Sequence, residues 1–247
     1  MIKKPFLSVV IPVYNEHRRI NNLKIILDYF ANKKYSCEVI VVDDGSTDDT
    51  LLVIREYRSL LLKTISYTKN QGKGFAVKTG MLAANGEWRL FMDIDLSIHP
   101  SQADLFLSHV GGNYDLLIGS RKCHGAQIID RQKIIRELLG KVFIILSSIL
   151  VYPKGIKITD FTCGFKMFCA TAADKIFSHS FIKRWGFDSE VLFLANKYNL
   201  NFREIPVVWH NRADSKVRFP QDVIRSFIEL FQVFYNDLLG RYQIPPM

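Results

Sequence analysis

The sequence predicts an α/β protein built on a parallel, doubly wound sheet. Two patterns predict this class. Short, continuous apolar runs alternate with segments whose apolar residues recur at helical spacing, and each apolar run ends in a polar loop. Ligands of doubly wound sheets bind beyond the carboxyl ends of the strands. We therefore expect the functional site in those polar loops.

The first half of the chain contains four predicted strands with helices between them. Leu7–Val13 is a continuous apolar run, as expected of a strand buried on both faces. A predicted helix follows, on which these apolar residues share one face: Ile20, Leu23, Ile26, Leu27 and Phe30. The next strands are predicted at residues 38–42, 63–67 and 87–94, with one helix capped within residues 47–49 and another over residues 75–84.

Composition predicts one domain with anionic partners. The 247 residues suffice for a single α/β domain with a full core. Lys and Arg number 33 against 24 Asp and Glu, which gives a net charge of +9 and a pI near 9.3. Such a balance favours nucleic acid, a nucleotide or an acidic membrane surface as partner, and charge alone does not choose among them.

The cysteines and the apolar runs predict a cytoplasmic protein. Four scattered cysteines form no Cys-x-x-Cys pair, which favours a reduced compartment. The start of the chain lacks the apolar core of a signal peptide. The longest apolar run, residues 142–152, is too short to span a bilayer. We expect a chain that contacts a membrane peripherally and does not cross it.

A pair of carboxylates, Asp93 and Asp95, follows the apolar residues of the fourth strand. If the strand continues to residue 94, alternation places both side chains on the same face. Two aligned carboxylates suit Mg²⁺ or Mn²⁺, which completes its shell with water and substrate phosphates. The alternative is a solvated acidic turn.

The other strand ends are polar as well, and turn composition alone would explain any one of them. Their succession at corresponding strand ends predicts one site. The residues concerned are Tyr14, Asn15 and Glu16 after the first strand, Asp43 to Asp48 after the second, and Asn70, Gly72, Lys73 and Gly74 after the third.

Four segments of the first half resemble the nucleotide-sugar half of inverting glycosyltransferases of family 2, which have the GT-A fold. They are residues 8–16 (SVVIPVYNE), 41–50 (VVDDGSTDDT), 70–80 (NQGKGFAVKTG) and 92–97 (MDIDLS). The second half resembles the dolichyl-phosphate glucosyltransferase and polyprenyl-phosphate sugar transferase branch. The segments concerned are residues 119–121 (GSR), 160–168 (DFTCGFKMF), 184–192 (RWGFDSEVL) and 204–209 (EIPVVW), followed by Ser215 and Lys216.

This resemblance implies a single GT-A catalytic domain over residues 1–219, with a mostly parallel central sheet and helices on both faces. A nucleotide-sugar half would occupy residues 1–120 and an acceptor half residues 121–219. Residues 220–247 would form a C-terminal amphipathic helix and tail. The helix carries an apolar, aromatic-rich stripe between Pro220 and Gly240, which can pack on the domain, on a second copy as a homo-oligomer, or on a bilayer.

The resemblance also implies a set of donor-binding residues. Asp44, with Asp43 beside it, would accept a hydrogen bond from the imide N–H of uracil, which favours uridine over cytidine. Asp93 and Asp95 would hold the Mg²⁺ or Mn²⁺ ion that bridges the diphosphate. The remaining donor contacts would come from Pro12, Tyr14 and Glu16 to base and ribose, and from Lys73 and Lys216, with Arg212, near the diphosphate.

On the acceptor side, the sequence favours a phosphate monoester. Such a group already carries an anionic oxygen at neutral pH, so it needs cations for positioning and no base. Arg121, Arg131 and Arg136 lie shortly before the apolar run of residues 142–152 and would bind this phosphate. Asp160 would orient the arginines, and the catalytic set is Asp93, Asp95, Arg121 and Asp160.

The sequence therefore predicts a metal-dependent inverting transferase that moves a hexose, glucose from UDP-glucose, to a polyprenyl or dolichyl phosphate at the cytoplasmic membrane face. One alternative is a family 2 enzyme with a saccharide or protein hydroxyl acceptor, which needs Asp160, Asp188 or Glu190 as base. A haloacid-dehalogenase-type phosphatase would carry its Asp-x-Asp pair near the chain start. A nucleic-acid-binding module would interleave its basic residues with aromatics, which this sequence does not do.

Overall fold

The computed structural model describes residues 4–129, 145–147, 158–210 and 221–243. The strands are β1 (Leu7–Val13), β2 (Cys37–Asp43), β3 (Leu62–Ser66), β4 (Trp88–Met92), β5 (Leu116–Ser120), β6 (Gln127–Ile128), β7 (Phe165–Cys169), β8 (Phe202–Pro206) and β9 (Val208–Trp209). The helices are α1 (Asn22–Ala31), α2 (Thr50–Glu56), α3 (Lys73–Ala83), α4 (Gln102–Leu107), α5 (Ala170–Ser178), α6 (Phe187–Lys197) and α7 (Gln221–Leu238).

A seven-stranded sheet forms the centre of the protein, in the order β3-β2-β1-β4-β7-β5-β8. Strand β7 runs antiparallel to both of its neighbours, and the other pairings are parallel. Strands β6 and β9 form a separate parallel pair. The predicted α/β class with a mostly parallel sheet is confirmed.

Helices cover both faces of this sheet, as predicted, because successive residues of each strand enter different cores. Val9 packs with Leu27 of α1 in one core, and Val10 packs with Val77 of α3 in the other. All four side chains are buried. Each fully buried residue of this kind contributes about 1.5–3 kcal/mol of burial free energy. The sheet is therefore a rigid platform for the loops at its edge.

The predicted elements of the first half are present, with shifted ends. The strand at Leu7–Val13 is confirmed at its predicted bounds. The third strand ends at Ser66 and α3 begins at Lys73, two residues before the predicted helix start. The strand expected over residues 87–94 ends at Met92. The expectation that Asp93 and Asp95 extend a strand is therefore wrong.

The C-terminal helix predicted after Pro220 is confirmed as α7, which packs on α6. Within the described residues, no helix is long and apolar enough to cross a membrane. The apolar run over residues 142–152 lies outside the described residues except for 145–147. The domain bounds at residues 120 and 219 stay predictions.

Candidate active site

The polar strand ends meet at one edge of the sheet because β2, β1 and β4 are parallel neighbours. Asp43 ends β2, Tyr14 follows β1, and Asp93 follows β4. Strand β7 runs the other way, so its first residue, Phe165, pairs with Met92 at the same edge. The loop before β7 therefore joins the loops of the first half at this site.

Asp93 is held between a lysine and a glycine. The Lys73 ammonium lies 2.7 Å from Asp93 Oδ1, with both side chains partly exposed. A Cβ atom on Gly164 would overlap the Asp93 carboxylate, so a larger residue there would have to displace that carboxylate. The Lys73 ammonium also lies 5.4 Å from the centre of the Trp185 ring. The predicted diphosphate ligand Lys73 thus contacts the predicted metal ligand Asp93.

Opposing effects set the pKa values of this pair. Burial would lower the pKa of Lys73, but the negative charges of Asp93, Asp188 and Asp95 outweigh it and raise that pKa. Burial raises the pKa of Asp93, an effect that Lys73 opposes and Asp95 reinforces. The charge of Asp95 acts on both groups, so this carboxylate lies in their neighbourhood. Asp95 lies in a turn after β4, in place of the expected strand.

The aspartate pair fits a hydrated divalent cation. Asp95 Oδ1 accepts a hydrogen bond from the Ser97 backbone N–H at 2.8 Å, which fixes its carboxylate. No group of three or more His, Cys, Asp or Glu side chains in the described part of the chain could hold a metal. Two carboxylates are nevertheless hard oxygen donors of the kind that Mg²⁺ and Mn²⁺ use together with substrate phosphates. The Lys73 ammonium at Asp93 Oδ1 would have to move away or share that carboxylate when a cation binds.

Asp44 anchors the loop that carries Lys73. Its Oδ1 accepts the Gln71 backbone N–H at 2.8 Å, and its Oδ2 accepts the Gly72 N–H and the Asn70 side-chain N–H, each at 2.8 Å. Gly72 has a φ of +111°, which favours glycine, and α3 begins at the next residue. Asp44 therefore sets where Lys73 lies, a contact that the sequence did not predict. Its role in reading uracil stays a prediction.

The remaining predicted donor residues lie around Asp43. Burial raises the pKa of the Asp43 carboxyl, which accepts the Ser46 backbone N–H. Asn15 ties the loops after β1 and β2 together, since its Oδ1 accepts the Thr47 backbone N–H at 2.7 Å. Glu16 forms an ion pair with Arg19 at 2.7 Å. In the same region, Pro12 is buried within β1 and Tyr14 is partly buried directly after it.

Arg121 and Asp160 form a bidentate ion pair beyond β5. Arg121 Nε and Nη2 donate to the two carboxylate oxygens at 2.6 and 2.7 Å, and the Arg121 backbone N–H donates at 3.1 Å. Burial would raise the pKa of Asp160, but Arg121 outweighs it and lowers that pKa. Burial would likewise lower the pKa of Arg121, and Asp160 raises it. Asp160 thus orients Arg121, and the catalytic roles of the two residues stay predictions.

The Asp160 loop is itself anchored to β8. Glu204 Oε1 accepts the backbone N–H groups of Thr159 and Asp160, each at 3.0 Å. The Arg121 guanidinium lies over the Trp209 ring, 5.6 Å from its centre. Trp209 is itself buried. Arg121 is therefore fixed by contacts on several sides.

Asp188 and Glu190, the other candidate bases, are both engaged with partners. Asp188 Oδ1 lies 2.5 Å from the ammonium of Lys166, and both residues are buried. Lys166 also donates to the Cys163 carbonyl at 2.7 Å. Glu190 accepts the backbone N–H groups of Phe181 and Ile182 and the Tyr242 hydroxyl. Burial raises the pKa of Glu190.

Sequence reasoning missed Lys166. A lysine inside the apolar strand FKMFC needs a buried partner, and that signal was available, but the partner on α6 could not be read from spacing. Asp188 lies in the first turn of α6, after the cap residue Gly186, and binds Lys166. The predicted ligands Arg131, Arg136, Arg212 and Lys216 lie outside the described residues.

A family model described as Glycosyl transferase family 2 matches residues 8–177 of this chain. The chain belongs to glycosyl transferase family 2. It is 34% identical to a dolichyl-phosphate beta-glucosyltransferase of Saccharomyces cerevisiae over 96% of this chain and 77% of that protein. It is 33% identical to the human protein of the same name over 85% of this chain and 69% of that one.

Solved structures share the fold of this family 2 chain. Glucosyl-3-phosphoglycerate synthase from Mycobacterium tuberculosis, in complex with Mg²⁺ and UDP, superposes with a TM-score of 0.69 at 19% identity, covering 98% of this chain and 81% of that one. TarS residues 1–349 from S. aureus, in complex with UDP, gives a TM-score of 0.63 at 20% identity over 94% and 65% of the two chains. The predicted GT-A fold is thus confirmed.

Proposed function

We propose that this family 2 chain is a metal-dependent inverting glucosyltransferase that transfers glucose from UDP-glucose to a polyprenyl phosphate of the dolichyl type. The names of the yeast and human relatives support this donor sugar and this acceptor. The solved complexes of the same fold support UDP and a divalent cation. We place the reaction at the cytoplasmic face of a membrane, since the acceptor is a lipid.

One observation carries the choice of acceptor: within the described residues, the three candidate bases named from the sequence are already engaged with partners. Asp160 binds Arg121, Asp188 binds Lys166, and Glu190 accepts three hydrogen bonds. Asp160 is also a poor base, because Arg121 lowers its pKa. An acceptor that arrives as an anion needs no base, and a phosphate monoester does so at neutral pH.

On the donor side, Asp93 and Asp95 would hold Mg²⁺ or Mn²⁺. When bound, the ion supplies positive charge to the diphosphate as it leaves the sugar. The Lys73 ammonium contacts Asp93, and at the same place it can donate a hydrogen bond to a diphosphate oxygen. The loops of Pro12, Tyr14, Glu16, Asp43 and Asp44 would enclose the nucleoside, with Lys216 added near the diphosphate.

On the acceptor side, Arg121 would orient the lipid phosphate toward the anomeric carbon. A guanidinium has five N–H donors, and Asp160 and Thr162 use only part of them. Attack by a phosphate oxygen from the face opposite the departing UDP inverts the anomeric centre. Arg131 and Arg136 would add positive charge to this phosphate site.

The test is an acceptor screen with UDP-glucose labelled in the sugar. We expect label in an organic-soluble product when polyprenyl phosphate and Mn²⁺ are present, and none with EDTA or with dephosphorylated polyprenol. Equal transfer to a saccharide acceptor without the lipid would contradict the proposed acceptor. Lys73→Gln should weaken UDP binding, and Lys34→Gln, at an exposed lysine away from the site, is its matched control.

A further inference from the structure

The C-terminal helix α7 buries Leu230 and Val233 against the protein and exposes a second apolar stripe on its outer face. Five large apolar or aromatic side chains lie along its outer face and are between 53% and 68% exposed: Ile224, Ile228, Phe231, Tyr235 and Leu238. Their spacing of three and four residues places them in one stripe. From residue 224 to residue 238 the stripe is about 21 Å long at 1.5 Å per residue. Monomeric proteins seldom expose a continuous apolar surface of this kind without a partner for it.

Polar contacts on the inner face fix the orientation of α7. Glu229 Oε2 accepts the Gly186 backbone N–H at 2.6 Å, and Asp237 pairs with Lys197 at 2.6 Å. Asn236 donates to the Tyr242 hydroxyl, which in turn donates to Glu190. Rolling the helix to bury its stripe would break all of these contacts. The stripe is therefore held outward by the fold.

The inner face also ties α7 to the candidate active site. Gly186, which Glu229 contacts, follows Trp185, and the Trp185 ring lies 5.4 Å from the Lys73 ammonium. Lys73 in turn contacts Asp93. The inner face of α7 thus contacts the segment that places Trp185 beside Lys73, on the donor side of the candidate site.

We propose that the outer face of α7 docks on an anionic lipid bilayer, with the helix lying in the plane of the interface. This rests on the proposed function, whose acceptor is a lipid. Phenylalanine, tyrosine, leucine and isoleucine are the side chains that interfacial helices insert, and aromatic rings favour the depth of the lipid headgroups. The net charge of +9 attracts the protein to anionic lipids.

The same charge argues against a second copy as the occupant. Two copies at +9 each repel one another, whereas an anionic bilayer offers the opposite charge. This repulsion therefore favours a lipid surface over a second copy of the chain as the partner of the stripe.

The experiment compares two variants that make the same chemical change on different faces. Ile228→Glu changes the outer stripe of α7, where Ile228 is 61% exposed. Ile25→Glu, on α1 across the sheet, changes a residue that is 45% exposed. Both variants should keep the wild-type melting temperature, because neither side chain fills a core. Vesicles of phosphatidylcholine, with and without phosphatidylserine, are floated with each protein.

We expect wild type and Ile25→Glu to float with the phosphatidylserine vesicles, and the vesicle affinity of Ile228→Glu to fall by about tenfold or more. Equal flotation of the two variants would overturn the proposal. A wild-type dimer in sedimentation that Ile228→Glu dissociates, with no vesicle binding, would overturn it in favour of self-association. Glucose transfer in detergent is measured beside flotation. Glucose transfer without flotation would contradict only the proposed docking on lipid. Flotation without glucose transfer would contradict only the proposed function.

Discussion

Two ion pairs at the same edge of the sheet differ in how firmly they are held. Arg121 contacts Asp160 through both carboxylate oxygens, and Glu204 anchors the Asp160 backbone. Lys73 contacts Asp93 at one oxygen, and the two side chains are 21% and 32% exposed. A bidentate pair with a buried carboxylate is costly to separate, whereas a single contact between partly exposed side chains is easier to exchange.

The difference matches what each side of the proposed reaction requires. On the donor side, a cation and then a diphosphate must enter, so the contact between Lys73 and Asp93 must yield to them. On the acceptor side, Arg121 must stay in place while the lipid phosphate approaches. The following predictions run from the largest expected effect to the smallest.

Asp95→Ala tests the donor side, where the contact between Lys73 and Asp93 must yield to a cation. We expect glucose transfer to fall by about a thousandfold or more, because the cation that offsets the leaving diphosphate loses one of two carboxylate ligands. Asp104→Ala is the control, since Asp104 pairs with Lys33 at the surface. Steady-state assays across a range of Mn²⁺ concentrations measure the change. Near-normal activity of Asp95→Ala at low Mn²⁺ would contradict the assigned role.

Lys166→Met extends the comparison to a pair buried on all sides. It leaves the Asp188 carboxylate buried without its cation, and we expect the free energy of unfolding to fall by about 3–5 kcal/mol. The double variant Lys166→Met/Asp188→Leu should recover most of this loss, because no charge stays buried. Urea unfolding of the three proteins gives the values. A double variant no more stable than Lys166→Met would mean that the ion pair is not the cause.

Arg121→Lys tests the rigid side directly. Lysine keeps the positive charge but cannot pair with both oxygens of Asp160, so we expect kcat/KM for polyprenyl phosphate to fall by about ten- to a hundredfold. The Kd for UDP, measured by calorimetry, should stay at the wild-type value. A loss of UDP binding equal to the loss of acceptor turnover would place Arg121 on the donor side instead.

Acid stability sharpens the comparison further. Arg121 lowers the pKa of Asp160 below its ordinary value of 3.8. The folded protein therefore binds fewer protons at this carboxyl than the unfolded chain does. The resulting stability is complete above pH 3.8 and is lost as the pH falls through the lower, folded-state pKa. We expect Asp160→Asn to be less stable at neutral pH and to lose less on acidification. Parallel acid-dependent losses in the two proteins would contradict this.

The sequence predicted the strands and helices of the central sheet better than the side-chain contacts of the candidate site. Apolar runs with helical segments between them are local signals, and Leu7–Val13 was placed at its observed bounds because β-branched residues dominate it. The convergence of Asp43, Asp93 and Lys73 also follows from parallel strands ending at one edge. These predictions required only local pattern and a general rule of topology.

Contacts between distant segments could not be predicted in this way. Asp44 holds residues 70–72, Gly164 lies against Asp93, and Lys166 meets Asp188, and none of these pairs has a fixed spacing in the chain. The end of β4 at Met92 was also missed, because apolar and acidic residues alternate beyond it as they would in a strand. Tertiary packing decides such details, and a single sequence does not record it.

The position of β7 has a consequence for how the enzyme is made. This strand inserts between β4 and β5, although the chain passes through both of them long before it reaches Phe165. Until the ribosome has released β7, β4 has an open edge and β5 has no partner strand in this sheet, so other chains could assemble on both. The glycine that receives the Asp93 carboxylate arrives with the same segment. A nascent chain stalled before residue 164 would therefore be both aggregation-prone and inactive, so chaperones would be needed most during that interval of synthesis.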